Sequence, residues 1–263
     1  LAFILSRIGA VSREFSLKIV YVSIFLYLGS GVIGTFHHLY WTGTPTPIIA
    51  LGAVFSALEV VPLALLGFET AQNLRTLKQG GANYAYRWPL YFFIAVAFWN
   101  VLGAGVFGFL INPPIVLYYA QGMDTTPLHA HTALFGVYGF FAIALMLFSV
   151  RHIVAIRAWS DRMLKWGFWL LNGGLMGMTV LNLVPAGFYQ LYHAITYGVW
   201  YARSPEITSG PVIKFLNYLR IVPDTVFGIG GVVIFLFVVR ATWMSFARRR
   251  QSASGGSKTN SAS

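Results

Sequence analysis

Apolar residues in this chain come in long runs, and polar residues are confined to short breaks between them. Stretches of about 20 apolar residues cross a hydrocarbon core about 30 Å thick. Six such stretches stand out, at 17–40, 48–72, 89–111, 128–150, 164–188 and 221–243. The breaks are polar or rich in Gly and Pro, as in Thr42-Gly43-Thr44-Pro45-Thr46-Pro47, Gln79-Gly80-Gly81 and Asn112-Pro113-Pro114. The pattern predicts an all-α, polytopic membrane helix bundle of about six transmembrane helices, one domain over 1–250. The remaining segment, 251–263, is low in complexity and is expected to be a disordered tail.

Composition agrees with a bilayer as solvent. Of 263 residues, 57% are hydrophobic and 10% charged, with mean hydropathy +0.68. A soluble domain carries roughly a quarter of its residues as charges. The net charge of +11 raises nucleic acid as a partner, but the basic residues stand at the ends of apolar runs. With the N-terminus inside, fifteen Lys and Arg fall on inner segments and three (Arg203, Lys214, Arg220) on outer ones. That is a positive-inside bias, so both ends are expected in the cytoplasm and no nucleic-acid partner is needed. The chain has no cysteine, which excludes disulfides, Fe–S clusters, thiolate metal sites and c-type haem attachment here. It opens Leu1-Ala2-Phe3-Ile4-Leu5, without Met or signal-peptide pattern, and reads as a helix cut in the middle, hence as the C-terminal part of a longer protein.

Charged and metal-binding side chains inside hydrocarbon are costly, so each is a functional candidate. His37-His38 closes the first run beside Tyr40 and Trp41. On an α-helix neighbours differ by about 100°, so the two imidazoles converge on one metal only from a tight arc; the alternative is an interfacial pair reaching for headgroups. His129 and His131 open the fourth run. Two residues apart they point about 200° apart, so they suit two different haems on opposite flanks of one helix, or are simply helix-start histidines. Both pairs lie toward the outer side, and that shared depth favours a joint role. Glu59 sits midway along the second run, one turn before Pro62; an unpaired carboxylate there is protonated or cation-bound. Asp224, after Pro223, reads either as a helix N-terminus stabilised by the dipole or as a polar anchor for a quinol hydroxyl. His152 and His193 read as interfacial, and the Trp and Tyr residues at the ends of the runs as aromatic belts.

Three motifs in order, Gly34-Thr35-Phe36-His37-His38-Leu39-Tyr40-Trp41, Phe55-Ser56-Ala57-Leu58-Glu59 and His129-Ala130-His131-Thr132-Ala133-Leu134-Phe135-Gly136, resemble the catalytic subunit of respiratory nitric oxide reductase. That family lies within the haem–copper oxidase superfamily, and the likeness runs to about Trp243. The Gly-Thr-Phe-His-His-Leu-Tyr form, followed by Gly-Thr-Pro-Thr, is most similar to the quinol-dependent branch. The resemblance implies the second half of a haem–copper oxidase-like fold in a bacterial inner membrane. It implies that His37 and His38 are two of three histidines on a non-haem iron (FeB), that His129 binds haem b3 and that His131 binds haem b. It further implies that Glu59 serves electrostatics and proton delivery at the binuclear centre, and that Asp224 lies at the quinol pocket.

The reaction so implied joins two NO into N2O and water, with two electrons from quinol and two protons. The resemblance leaves the third iron histidine, a glutamate ligand and the second haem b ligand to upstream helices, so this fragment alone is expected to be inactive. Two other readings remain: a terminal oxidase reducing O2 with copper in place of FeB, and a non-catalytic dihaem cytochrome b. The reading frame immediately before Leu1 is expected to encode a helix with His-x-x-x-Glu, which sequencing upstream checks directly.

Overall fold

A computed structural model of the chain describes residues 13–80, 84–154 and 156–256; the break in a helix read at Leu1 lies outside the described residues. Among the described residues every regular element is helical. The first run is α1 (Arg13–Gly34) followed by a 3-10 turn, Thr35–Leu39. The second is split into α2 (Thr46–Ala57) and α3 (Val60–Gly80). Then come α4 (Arg87–Ile111), short α5 (Pro114–Ala120), α6 (Thr125–Ile153) and α7 (Asp161–Tyr197). Two single turns, α8 (Val199–Ala202) and α9 (Pro205–Thr208), lead to α10 (Pro211–Gly256). The last helix therefore runs beyond Arg250 into the segment read as a tail; 257–263 lie outside the described residues.

Among the described residues, α4, α6, α7 and α10 contain stretches long and apolar enough to cross a bilayer. The first and second runs give shorter apolar helices, Ile24–Leu39 and Thr46–Ala57. The chain is a multi-pass membrane protein, and its outward faces agree: Phe235, Trp243 and Phe246 of α10 and Trp166 and Trp169 of α7 are exposed. In water such surface is a liability; in lipid it is the natural exterior.

The ladders change pitch where the runs meet polar or glycine-rich sequence. π-helical segments interrupt α4 at Asn100–Gly108, α6 at Leu134–Gly139 and α7 at Thr179–Leu183. Such widened turns concentrate at functional sites. In the second run Pro62 has no N–H to give the carbonyl of Leu58. That carbonyl accepts from Val61 N–H instead (3.2 Å), and Leu58 and Glu59 bond back to Phe55 and Ser56 in tight turns. The expected single helix over 48–72 is thus broken at Leu58–Glu59, which sets Glu59 at the break.

Two packings hold the bundle. In the first, α4 lies along α6, with Phe92 packed edge-on to Phe140 (5.9 Å between centroids) and Trp99 buried against Gly136. In the second, α7 lies along α10. Small residues allow this close approach, as is usual where lipid offers no hydrophobic drive between helices. A Cβ on Gly174 would meet the backbone of Phe227 at 2.6–2.7 Å, and one on Gly230 would meet Leu171 N at 2.8 Å. Polar ties add to this: Trp99 Nε1 donates to Asn172 Oδ1 (2.9 Å), and Asn182 Nδ2 to Asn217 Oδ1 (3.2 Å). Each such bond averages about 0.6 kcal/mol in a membrane, so close packing outweighs them.

Adjacent glycines make a test. Gly174→Ala forces α7 from α10 and is expected to cost about 1–3 kcal/mol, the usual range for overpacking. Gly173 has nothing within 4 Å of its added Cβ, so Gly173→Ala should leave thermal stability in detergent unchanged or slightly raised.

Candidate functional site

The residues singled out in the sequence come together in two places, on either flank of α6. The first is a cavity of about 710 Å³ between the end of α1, the α2–α3 break, α4 and α6. His37, His38, Glu59 and His129 all line it. Its other walls are mostly apolar, including Leu63, Val101, Val106 and Phe109.

His37 and His38 ride the 3-10 turn rather than the regular α-helix expected from the run. Neighbours on that tighter helix are about 120° apart, yet the rings stay close, with centroids 4.2 Å apart. His37 is buried and its Nδ1 has no hydrogen-bond partner. A buried polar atom without a partner is uncommon and asks for a ligand. Gly52 of α2 is what lets this turn sit against the cavity. A Cβ there would lie 2.8 Å from the carbonyl carbon of Phe36 and closer still to the backbone nitrogen of His37.

His129 enters from the opposite wall. Its Nδ1 is 2.8 Å from the carbonyl of Gly103, inside the π-helical part of α4. Donating Nδ1–H to a backbone carbonyl orients an imidazole and leaves Nε2 for a metal. Gly108 makes the space: a Cβ on it would lie 2.9 Å from His129 Cε1. Asn112, buried at the end of α4, donates to Ala53 O (2.8 Å) and so ties α2 to this wall.

His131 faces the other flank, as two-residue spacing on a helix requires. Its Nδ1 is 2.8 Å from Pro127 O, and its Nε2 is 2.8 Å from Nη2 of Arg220 on α10. Arginine has only protons to give, so His131 holds its proton on Nδ1 and presents the Nε2 lone pair. Arg220 Nε also donates to both carboxylate oxygens of Asp224, at 3.2 and 3.1 Å. Asp224 is therefore no helix N-terminus: α10 begins at Pro211, and Asp224 sits in its interior, ion-paired one turn from Arg220. Just before α6, Asp124 lies partly buried in the loop that follows α5. Burial pushes its carboxyl above the ordinary range, and the Arg220 guanidinium pulls the other way.

Two further histidines, read from the sequence as interfacial, lie away from the cavity. His152 is exposed, with Nδ1 3.0 Å from Phe148 O and Nε2 3.3 Å from the Tyr86 hydroxyl. His193 packs among the rings of Tyr189, Tyr192, Tyr197 and Tyr201.

Sequence reasoning missed Arg220 as the link between His131 and Asp224; its four-residue spacing from Asp224 was the available signal. It also missed the glycines at 103 and 108 as the seat of His129, although their clustering in the third run is visible. Among the described residues no three His, Asp or Glu side chains converge as a metal cluster. The donor set nonetheless fits metal ligation: two imidazoles close together, a third with Nε2 directed away from its carbonyl anchor, and a carboxylate on the same cavity.

The sequence profile of the cytochrome c and quinol oxidase polypeptide I family matches residues 1–226. The chain is also 31% identical over 254 residues to a nitric oxide reductase subunit of Stutzerimonas stutzeri, an alignment covering 91% of this chain and 50% of that protein. The chain thus spans about half the length of the curated relative it matches.

Gly52→Ala is expected to displace the turn carrying His37 and to lower stability by about 1–3 kcal/mol. Gly31, on the same cavity, has nothing within 4 Å of an added Cβ. Gly31→Ala should therefore keep the wild-type melting temperature in the same detergent.

Proposed function

Because the chain belongs to the cytochrome c and quinol oxidase polypeptide I family, we propose that it is the C-terminal half of a nitric oxide reductase catalytic subunit. In this reading it reduces two NO to N2O and water with electrons from quinol, in a bacterial inner membrane with both ends cytoplasmic. The observation that carries the proposal is the meeting of His37, His38, Glu59 and His129 on one mostly apolar cavity, in a chain 31% identical to a nitric oxide reductase subunit.

The roles proposed here come from the resemblance in sequence, and the positions of the side chains support them. His37 and His38 hold the non-haem iron, for which imidazole is a suitable ligand. His129, steadied by Gly103 O, holds haem b3 across the cavity, and His131, steadied by Pro127 O, holds haem b on the other flank. When bound, these groups supply the electrons and the Lewis acidity for joining two NO. Glu59 holds or passes a proton at its carboxyl oxygens beside the cavity. The apolar walls exclude bulk water and admit an uncharged gas. Asp224 receives the quinol hydroxyl, and Arg220, ion-paired to Asp224, would give up its hydrogen bond to His131 Nε2 when that nitrogen takes the haem. The chain contributes only part of each ligand set, so we propose that it works with the N-terminal half of the same protein.

A second reading keeps the fold and changes the substrate. The family profile also embraces the oxidases that its name describes, and an O2-reducing enzyme would hold copper at the position proposed here for FeB. A non-catalytic dihaem cytochrome b is the third possibility, distinguished by the lack of a high-spin haem.

Metal analysis of the purified full-length protein decides the first point: iron without copper is expected, and copper overturns the reductase reading. Anaerobic NO consumption with N2O release should be lost in His38→Ala and in His129→Ala, the latter with loss of the CO-binding haem spectrum. Asp224→Asn should lower turnover with quinol while sparing turnover with an artificial reductant; equal effects on both would remove Asp224 from the donor site.

A further inference from the structure

We propose that the basic end of the bundle holds a binding site for an anionic phospholipid, between α3, α4 and α7. The site is a second cavity, about 500 Å³, remote in sequence from the histidine cavity and sharing no lining residue with it. Its lining combines two chemistries. Two residues are cations, Arg87 at the start of α4 and Lys165 in the second turn of α7. The others are the rings of Trp88, Tyr91, Phe168 and Trp169, with Leu77 of α3.

The cationic part is built. Asp161 accepts from Trp88 Nε1 (2.6 Å) with one carboxylate oxygen and pairs with Arg87 Nη2 (2.8 Å) through the other. That single carboxylate thereby fixes the guanidinium and the indole at the cavity mouth. Its charge offsets only one cation. Lys165 is exposed and lines the cavity together with Arg87, so against the one carboxylate the mouth is net positive.

The aromatic part says what kind of anion fits. A free phosphate needs the cations and has no use for four rings. Trp169 and Tyr91 are exposed on the lipid side, each one turn farther along its helix than Lys165 and Arg87, or about 6 Å deeper into the bilayer. A ligand with an anionic head and hydrocarbon tails meets both halves at their own depths. Basic pockets between helices at the cytoplasmic face are suited to such headgroups, and this end is the one where the basic residues concentrate. Lipid binding here stands whether or not the histidine cavity reduces NO.

Phospholipids with brominated acyl chains quench tryptophan on contact and supply the probe. Full-length protein, delipidated in neutral detergent, is titrated with brominated phosphatidylglycerol, with brominated phosphatidylcholine, and with sn-glycerol 3-phosphate as a chainless competitor. Phosphatidylglycerol should bind more tightly than phosphatidylcholine, and glycerol phosphate should not displace it. Lys165→Glu should weaken phosphatidylglycerol by about fivefold or more, the effect of one interfacial cation, without changing phosphatidylcholine. Arg162→Glu, a charge change outside the cavity, should leave the preference in place, and Trp169→Phe should remove part of the quenching. Equal affinity for the two lipids, or an unaltered preference in Lys165→Glu, overturns the proposal. Displacement by glycerol phosphate also overturns it, in favour of a soluble-anion site.

Discussion

Within hydrocarbon no water stands ready to replace a lost backbone hydrogen bond, and this one constraint decides where the chain is able to be irregular. Each departure from the regular ladder keeps its groups paired by changing pitch. The run ending at His38 tightens into a 3-10 turn, the ladder at Leu58 closes into successive short bonds, and α4 widens through Asn100–Gly108. All three departures line the histidine cavity. Irregular backbone is tolerated at membrane depth where it faces protein or a cavity, and here it brings two imidazoles, a carboxylate and a glycine-lined seat to one cavity.

The same constraint explains which side chains tie the helices together. His129, His131 and Asn112 each reach a backbone carbonyl, of Gly103, Pro127 and Ala53. Thr132 and Thr179 bond back to carbonyls one turn earlier in their own helices. Polar groups that cannot find water take carbonyl oxygens, which offer a second lone pair even when the ladder is complete. For the histidines this has a chemical result, because the nitrogen committed to a carbonyl determines which nitrogen is left to act.

Much of this was legible in the sequence, for physical reasons that differ by element. The long apolar runs of α4, α6, α7 and α10 announced themselves, since a bilayer demands length and hydrophobicity together. The opposite facing of His129 and His131 followed from helical pitch alone, and His129 does line the cavity while His131 turns to α10. The pitch changes were not legible: nothing in Thr35–Leu39 distinguishes a tightened turn from a continued helix. Nor was the start of α10. The stretch from Pro211 to Arg220 is broken by Lys214, Asn217 and Arg220 and so fell outside the apolar run at 221–243, yet it is helix packed on α7, and Asp224 was placed at an end that it does not occupy. Arg220 escaped notice for the same cause, since its partner His131 lies far off in sequence and only the bundle brings them together.

The placement of His129 and His131 on one helical turn also fixes a length. Two imidazoles on loops or on separate helices would drift as the protein breathes, and any group each one carried would drift with it. Here a single stretch of α6 acts as a stiff ruler between the two flanks, with its rise set by the hydrogen-bonded ladder. Sliding α6 along its axis shifts both imidazoles together, and turning it swings one toward its cavity as the other leaves. Were the proposed haems carried there, electron tunnelling, which decays steeply with distance, would meet a gap held by one helical turn.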